Sequence, residues 1–245
     1  MATEILIFVL LIIFVSSLVR ATFGFGDALI AMPLLVLFID VRTATPLIAF
    51  FACIIALILL AMNFRKIEFK KLWTLILFSI LGIPLGLLFL KGSNDLYIKI
   101  VLAVILIIFS VFKLWKPEGL TLKSNKSAFL FGLVSGILGG AYNTNGPPII
   151  IFGTMRKWDA DKFRDMLQGI YLPTNIFIIL GHGAAGLWTQ EVFNYFLISI
   201  PVVAVATVAG IWLNKRIPEE KFSKYIYGFL ILISVVLLVN TLIKT

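Results

Sequence analysis

A single cysteine, Cys53, and a single histidine, His182, serve the whole chain. One cysteine cannot form an intrachain disulfide, and the pair leaves no cysteine or histidine cluster for a metal. Cys53 lies inside an apolar run and reads as a small packing residue. Acidic residues are scarce, 12 Asp and Glu against 21 Lys and Arg. The mid-membrane carboxylate clusters that a metal-cation transporter would want are missing. So are a phosphate loop, a GxSxG elbow and an HExxH pair, so nothing points to ATP hydrolysis or to a resident cofactor. GFGDAL at 24–29 superficially resembles a dinucleotide loop, but no strand–helix unit surrounds it.

What is there is apolar. Hydrophobic residues make up 61% of the 245 residues, and the mean hydropathy is +1.09. Blocks of about twenty apolar residues recur, the length that crosses a bilayer as a helix. They do not alternate, which excludes a β-barrel. The expected fold is an all-α polytopic membrane protein. The first run, beginning MATEILIFVLL, has no Lys or Arg ahead of it and no small-x-small cleavage site, so it reads as a retained span. The net charge of +9 does not indicate nucleic acid, because the basic residues fall in short loops where membrane topology accounts for them.

The apolar segments run at about 5–19, 28–39, 44–62, 72–90, 97–115, 127–142, 147–155, 166–181, 192–213 and 222–242. Two are half-length: 28–39 reaches about 18 Å and 147–155 about 14 Å. Each follows a glycine-rich break, one in each half of the chain. Loops 63–71, 113–126, 155–165 and 213–224 hold four basic residues apiece, sixteen of the 21. The positive-inside rule places all four in the cytoplasm of a plasma (inner) membrane protein. Connections 91–96 and 182–191 then face outward, with only Lys91 between them, although Arg42 and Lys99 lie near outer ends. Under that threading, 5–39 and 127–155 are broken hairpins that return to their starting side, each followed by three spans. The halves become inverted repeats, about 5–115 and 127–242, joined by a cytoplasmic loop 116–126 in one membrane domain. Laying GFGDALIAMPLL (24–35) over NTNGPPIIIFGT (143–154) sets Gly24, Gly26 and Asp27 against Asn143, Asn145 and Gly146.

A break frees backbone groups that lipid cannot satisfy, so it survives only inside protein or beside water. Pro147 and Pro148 suit the first turn of the helix after Gly146. Asp27 suits an N-cap for the matching half-helix. Two half-helix N-termini facing each other near the midplane would favour an anion. Arg20, an ionisable residue inside a membrane run, could contact that anion, pair with Asp27, or snorkel to the interface. Asp27 itself could be a plain cap or a proton carrier. The candidate substrate-binding residues are Arg20, Thr22, Gly24, Gly26, Asp27, Tyr142, Asn143, Thr144, Asn145, Gly146, Gln168 and Asn175. Thr174 is a weaker candidate beside Asn175. His182 reads as interfacial, Asn63 as a helix end, and the five tryptophans as belt residues.

With these motifs the chain resembles the sulfite exporter TauE/SafE family of small bacterial membrane permeases, over nearly its whole length. The family pattern is a G-x-G-G-G-x-x-x-x-P-L type motif near the start of each half. The first copy here reads Gly24-Phe25-Gly26-Asp27-Ala28 through Pro33-Leu34, and the second Asn143-Thr144-Asn145-Gly146-Pro147-Pro148 through Phe152. Asp27 and Ala28, and Asn143 and Asn145, replace family glycines, and Phe152 replaces the later proline. The resemblance implies a permease for a small anion, a sulfur-containing oxyanion or an organosulfonate. Its partners would be that anion and the lipid bilayer. A proton or sodium coupling ion and homo-oligomer formation stay open, as does the direction of transport. Two other readings compete: an intramembrane enzyme acting on a lipid-linked phosphate, and a structural membrane protein that moves nothing.

Overall fold

The computed structural model describes residues 3–63, 69–115, 121–122, 125–158, 160–214, 216 and 219–243. Arg65, Lys66, Lys116, Lys123 and Lys215 of the basic loops lie outside them, as does most of the central loop 116–126. The described residues form helices and no strand. In order these are α1 (Thr3–Phe23), α2 (Asp27–Leu35), α3 (Val41–Asn63), α4 (Phe69–Gly92), α5 (Asp95–Trp115), α6 (Ala128–Tyr142), α7 (Gly146–Met155), α8 (Ala160–Ala184), α9 (Gln190–Asn214) and α10 (Glu219–Ile243). Among the described residues, α1, α3, α4, α5, α9 and α10 are long and apolar enough to cross a membrane. Large apolar side chains such as Leu88, Ile108, Val208 and Leu232 stand exposed on them, as lipid-facing residues do.

Two elements differ from expectation. Helix α2 stops at Leu35, where Leu37 and Phe38 donate to the carbonyls of Leu34 and Leu35 and tighten the chain into turns before 39. Helix α8 runs 25 residues rather than sixteen, and it is not among the six apolar spans. Its charged first turns and a buried polar stripe lower its hydropathy, while Ile176, Phe177 and Leu180 on the other face are exposed.

Side-chain and backbone contacts fix which helix ends lie together. Arg42 donates to the Ser93 carbonyl (2.8 Å) and Thr43 to Glu191 (3.3 Å), joining the start of α3, the end of α4 and the start of α9. At the other end, Leu122 N–H bonds the Met155 carbonyl (2.9 Å) and Lys113 donates to Thr154 (3.3 Å). The chain thus leaves from Leu122, runs through α6 and α7, and comes back beside its own start. Helix α1 lies parallel to α9, since Gly210 faces Leu18 and Ala21 while Asn214 reaches Thr22.

The most extensive contact is between α4 and α6. Leu75, Ser79 and Ile83 step along Gly132, Gly136 and Gly140 in the same direction, backbone on backbone. A Cβ at Gly136 would sit 1.8 Å from the Ser79 carbonyl oxygen, so only glycine permits this approach. The next most extensive pairs are α1 with α9, α5 with α10 and α3 with α8. Advancing each helix by five places turns α4–α6 into α9–α1 and leaves α5–α10 and α3–α8 as self-paired contacts. Trp73, Trp115, Trp188 and Trp212 are exposed, as belt residues would be. Trp158 is half-buried and packs between Phe152 and Phe163.

Candidate functional site

The first break begins where α1 ends. Four carbonyls at that end have donors. Gly24 N–H bonds Arg20 O (2.7 Å), the Arg164 guanidinium bonds Ala21 O, Asn214 bonds Thr22 O (2.6 Å), and Gln168 Nε2 bonds Gly24 O (2.7 Å). The side-chain donors come from α8 and α9, so the break is buried in protein. Gly24 (φ 83°) and Gly26 (φ 100°) turn the chain in the left-handed region, which suits glycine. Gly26, not Asp27, is the N-cap of α2, and the cap makes no side-chain bond. The expected Asp27 cap is thereby corrected: Asp27 is the first helical residue, and its carboxylate is taken by Arg20.

That pair is a buried ion pair. Arg20 Nη1 meets Asp27 Oδ1 at 2.9 Å, with the two side chains 3% and 9% exposed. Arg20 is therefore not an interfacial, snorkelling residue. Its Nη2 donates to Gln168 Oε1 (3.3 Å), and its guanidinium carbon lies 4.6 Å from the centre of the Tyr171 ring. Arg20 Nε and Asp27 Oδ2 have no hydrogen-bond partner among the described residues. Thr22 is buried nearby but bonds the Leu18 carbonyl of its own helix (2.7 Å).

The second break closes α6 with Asn143 in the left-handed conformation (φ 52°). Asn143 N–H and Thr144 N–H return to the carbonyls of Gly139 and Leu138, a glycine-style helix stop occupied by asparagine. Asn145 Nδ2 bonds Thr174 (3.2 Å), and its carbonyl accepts from Ser135 (2.7 Å). Thr144 bonds the Tyr142 carbonyl (3.1 Å), and the Tyr142 hydroxyl reaches the Ile98 carbonyl (2.9 Å). Tyr142 therefore anchors α6 to α5 rather than facing the first break. Pro147 and Pro148 have no N–H, so the first turn of α7 offers fewer anion donors than a general helix start. Gly146 supplies the N–H that remains there.

Helix α8 joins the breaks. Arg164, Gln168, Tyr171, Asn175, Ile178 and His182 recur three or four residues apart and share one face. Gln168 meets the first break and Thr174 the second. Tyr171 touches both: its ring covers Arg20, and a Cβ on Gly146 would lie 3.0 Å from its hydroxyl. Tyr171 thus links the Arg20 side chain of the first break to the start of α7. Tyr171 Oη, both amide atoms of Asn175, and Asn143 Oδ1 have no hydrogen-bond partner among the described residues, and all three side chains are buried. These atoms are open to a bond from a ligand or water. His182 is fully buried with Nε2 on the Gly140 carbonyl (3.1 Å), which corrects its interfacial assignment.

Tyr171 and Arg164 were not among the sequence candidates. Their signal in the sequence is the three- and four-residue spacing that puts them on one face of α8 with Gln168 and Asn175. Among the described residues, no group of three His, Cys, Asp or Glu is placed to hold a metal.

The family model described as Sulfite exporter TauE/SafE matches residues 9–237. No curated protein and no solved structure matches the chain.

Proposed function

Since the chain belongs to the sulfite exporter TauE/SafE family, whose members are membrane transporters and not enzymes, we propose that it carries a small sulfur oxyanion or organosulfonate through the site between its two breaks. The observation that carries this reading is Arg20. A buried guanidinium with a free Nε stands at a helix break, stacked on Tyr171 and one side chain away from the start of α7. A planar guanidinium is suited to an oxyanion. The orphan donors Tyr171 Oη and Asn175 Nδ2 supply neutral hydrogen bonds beside it. Substrate contact is assigned to Arg20, Gln168, Tyr171, Asn175 and the Asn143–Gly146 turn.

The exchange of contacts between α4–α6 and α9–α1 supports two inverted five-helix repeats. The hairpin that returns from Met155 to Leu122 supports the broken-hairpin unit. Alternating access then rocks the two broken hairpins about the Tyr171 contact. The basic helix ends, with Lys113, Arg156 and Arg164, lie on the cytoplasmic side of the plasma membrane under the positive-inside rule.

The test is uptake of labelled sulfite, thiosulfate and ethanesulfonate into proteoliposomes, beside an Arg20→Gln variant of matched membrane abundance. Saturable uptake that the variant loses is the expected result. A normal flux in a folded Arg20→Gln protein would remove Arg20 from the site. No flux in the wild type would remove the substrate class.

A further inference from the structure

The Arg20 charge is already balanced. Asp27 sits on it at 2.9 Å, and both side chains are at least nine-tenths buried. An anion arriving at Arg20 would leave three charges, one positive and two negative, in a poorly solvated place. An uncompensated buried charge is costly. The site can avoid that cost in one simple way: Asp27 takes a proton as the anion takes its place on Arg20.

We propose, resting on the reading that Arg20 holds the anion, that Asp27 is the carrier of a coupling proton, so that anion and proton cross together. Before binding, Arg20⁺ and Asp27⁻ sum to zero. After binding, Arg20⁺ with a monoanion and a neutral Asp27 again sum to zero. The proton adds to a carboxylate oxygen, Oδ2 being the one without a partner, and leaves again when the anion departs and the ion pair re-forms. No bond of the substrate changes.

The other charged and titratable groups around the pair come from four helices. On α8, Tyr171 lies under Arg20, and Arg164 packs its side chain on Gly24 and donates to the Ala21 carbonyl, with Asp165 following it. Tyr227 of α10 lies within electrostatic reach of Tyr171, and Lys113 of α5 lies 6.0 Å from the Tyr227 ring centre. Cys53 of α3 lies within reach of Arg20. Arg164 is the competing source of positive charge. It stands at the C-terminal end of α1, whose carbonyls already draw on it. If Arg164 balanced the incoming anion instead, no proton would be needed.

The experiment counts protons per anion. Wild-type protein is reconstituted with a pH dye inside the vesicles and given ethanesulfonate, which stays fully ionised and carries no proton of its own. Thiosulfate, and sulfite above its own titration range, are dianions and are used to score binding and flux only. The expected result is one proton moved with each ethanesulfonate, and an ethanesulfonate flux indifferent to an imposed potassium–valinomycin potential. Flux with no proton, or flux driven by a sodium gradient, overturns the coupling and leaves the Arg20 site standing. No flux and no binding of any of the three overturns both.

Asp27→Asn should bind ethanesulfonate independently of pH and move no proton. Should that variant fail to fold, calorimetry of ethanesulfonate binding to the wild type in buffers of differing ionisation enthalpy gives the same count. One proton taken up supports the proposal, and zero overturns it.

Discussion

Removing the Arg20 charge should destabilise the protein, and removing the Asp27 charge as well should restore much of what was lost. Arg20→Gln leaves the Asp27 carboxylate buried, 9% exposed, without its partner at 2.9 Å. Breaking a buried pair from one side costs about 3–5 kcal/mol. Loss of the contact with the Tyr171 ring adds about 0.5–2 kcal/mol. For a chain of this size that corresponds to a fall in melting temperature on the order of 10 °C. In Arg20→Gln/Asp27→Asn no charge remains to be buried alone, so the carboxylate penalty disappears and only the ring contact and a hydrogen bond are missing. The expected coupling energy between the two sites is about 3 kcal/mol, at the upper end for contacting residues. Detergent melts followed by size exclusion, run on the wild type, both singles and the double, would read it. A double variant as unstable as the sum of the singles would refute the ion pair as the fastening of the first break. The same double variant separates fold from function: stable but unable to transport is the outcome expected if Arg20 also holds the anion.

Tyr171→Phe keeps the ring over Arg20 and removes only the orphan hydroxyl. Stability should change by less than about 1 kcal/mol, while apparent anion affinity falls roughly 10- to 100-fold, the worth of a hydrogen bond to a charged group, read from the concentration dependence of uptake. Asn143→Gly should fold, because glycine accepts φ 52°, whereas Asn143→Val should cost about 1–2 kcal/mol in the left-handed region; flux through the glycine variant then reports what the carboxamide does. Gly136→Leu should abolish accumulation of folded protein, since its Cβ would strike the Ser79 carbonyl. Gly228→Ala, with open space around the added carbon, should leave the melt unchanged or raise it by up to about 1 kcal/mol.

The breaks were legible because membrane helices rarely tolerate Gly, Asn and Pro together, and Arg20 and Asp27 because charge inside an apolar run has few explanations. Span length and loop charge were legible for a similar reason. What the sequence concealed depended on partners. The capping of Thr22 by Asn214 joins residues 192 positions apart. His182 looked interfacial because it follows the last apolar residues of its span, and only the Gly140 carbonyl explains its burial. The α2 cap went to Gly26 because a guanidinium from the previous helix competed for the Asp27 carboxylate, a contest that local capping rules do not include.

The proposed repeat places α3 against α8 at an offset of 119 residues, and there the two halves are unlike. Gln168, Tyr171 and Asn175 correspond to Ala49, Ala52 and Ala56, three alanines that are fully or almost fully buried. Ala49 clusters with Ile178. Because α3 begins beside the start of α9, close to where α8 ends, the two helices run antiparallel. Equal steps along them bring Ala52 and Ala56 to the levels of Asn175 and Tyr171. One helix thus supplies polar groups, and its counterpart supplies the small side chains that leave them room. The breaks divide in the same way: the first carries the charges Arg20 and Asp27, the second carries neutral Asn143, Thr144 and Asn145. Two identical halves would have put two guanidinium–carboxylate pairs, or two polar stripes, into one site. This chain keeps one of each, so a single anion would meet a single charged half-site and a single neutral one, with Tyr171 between them.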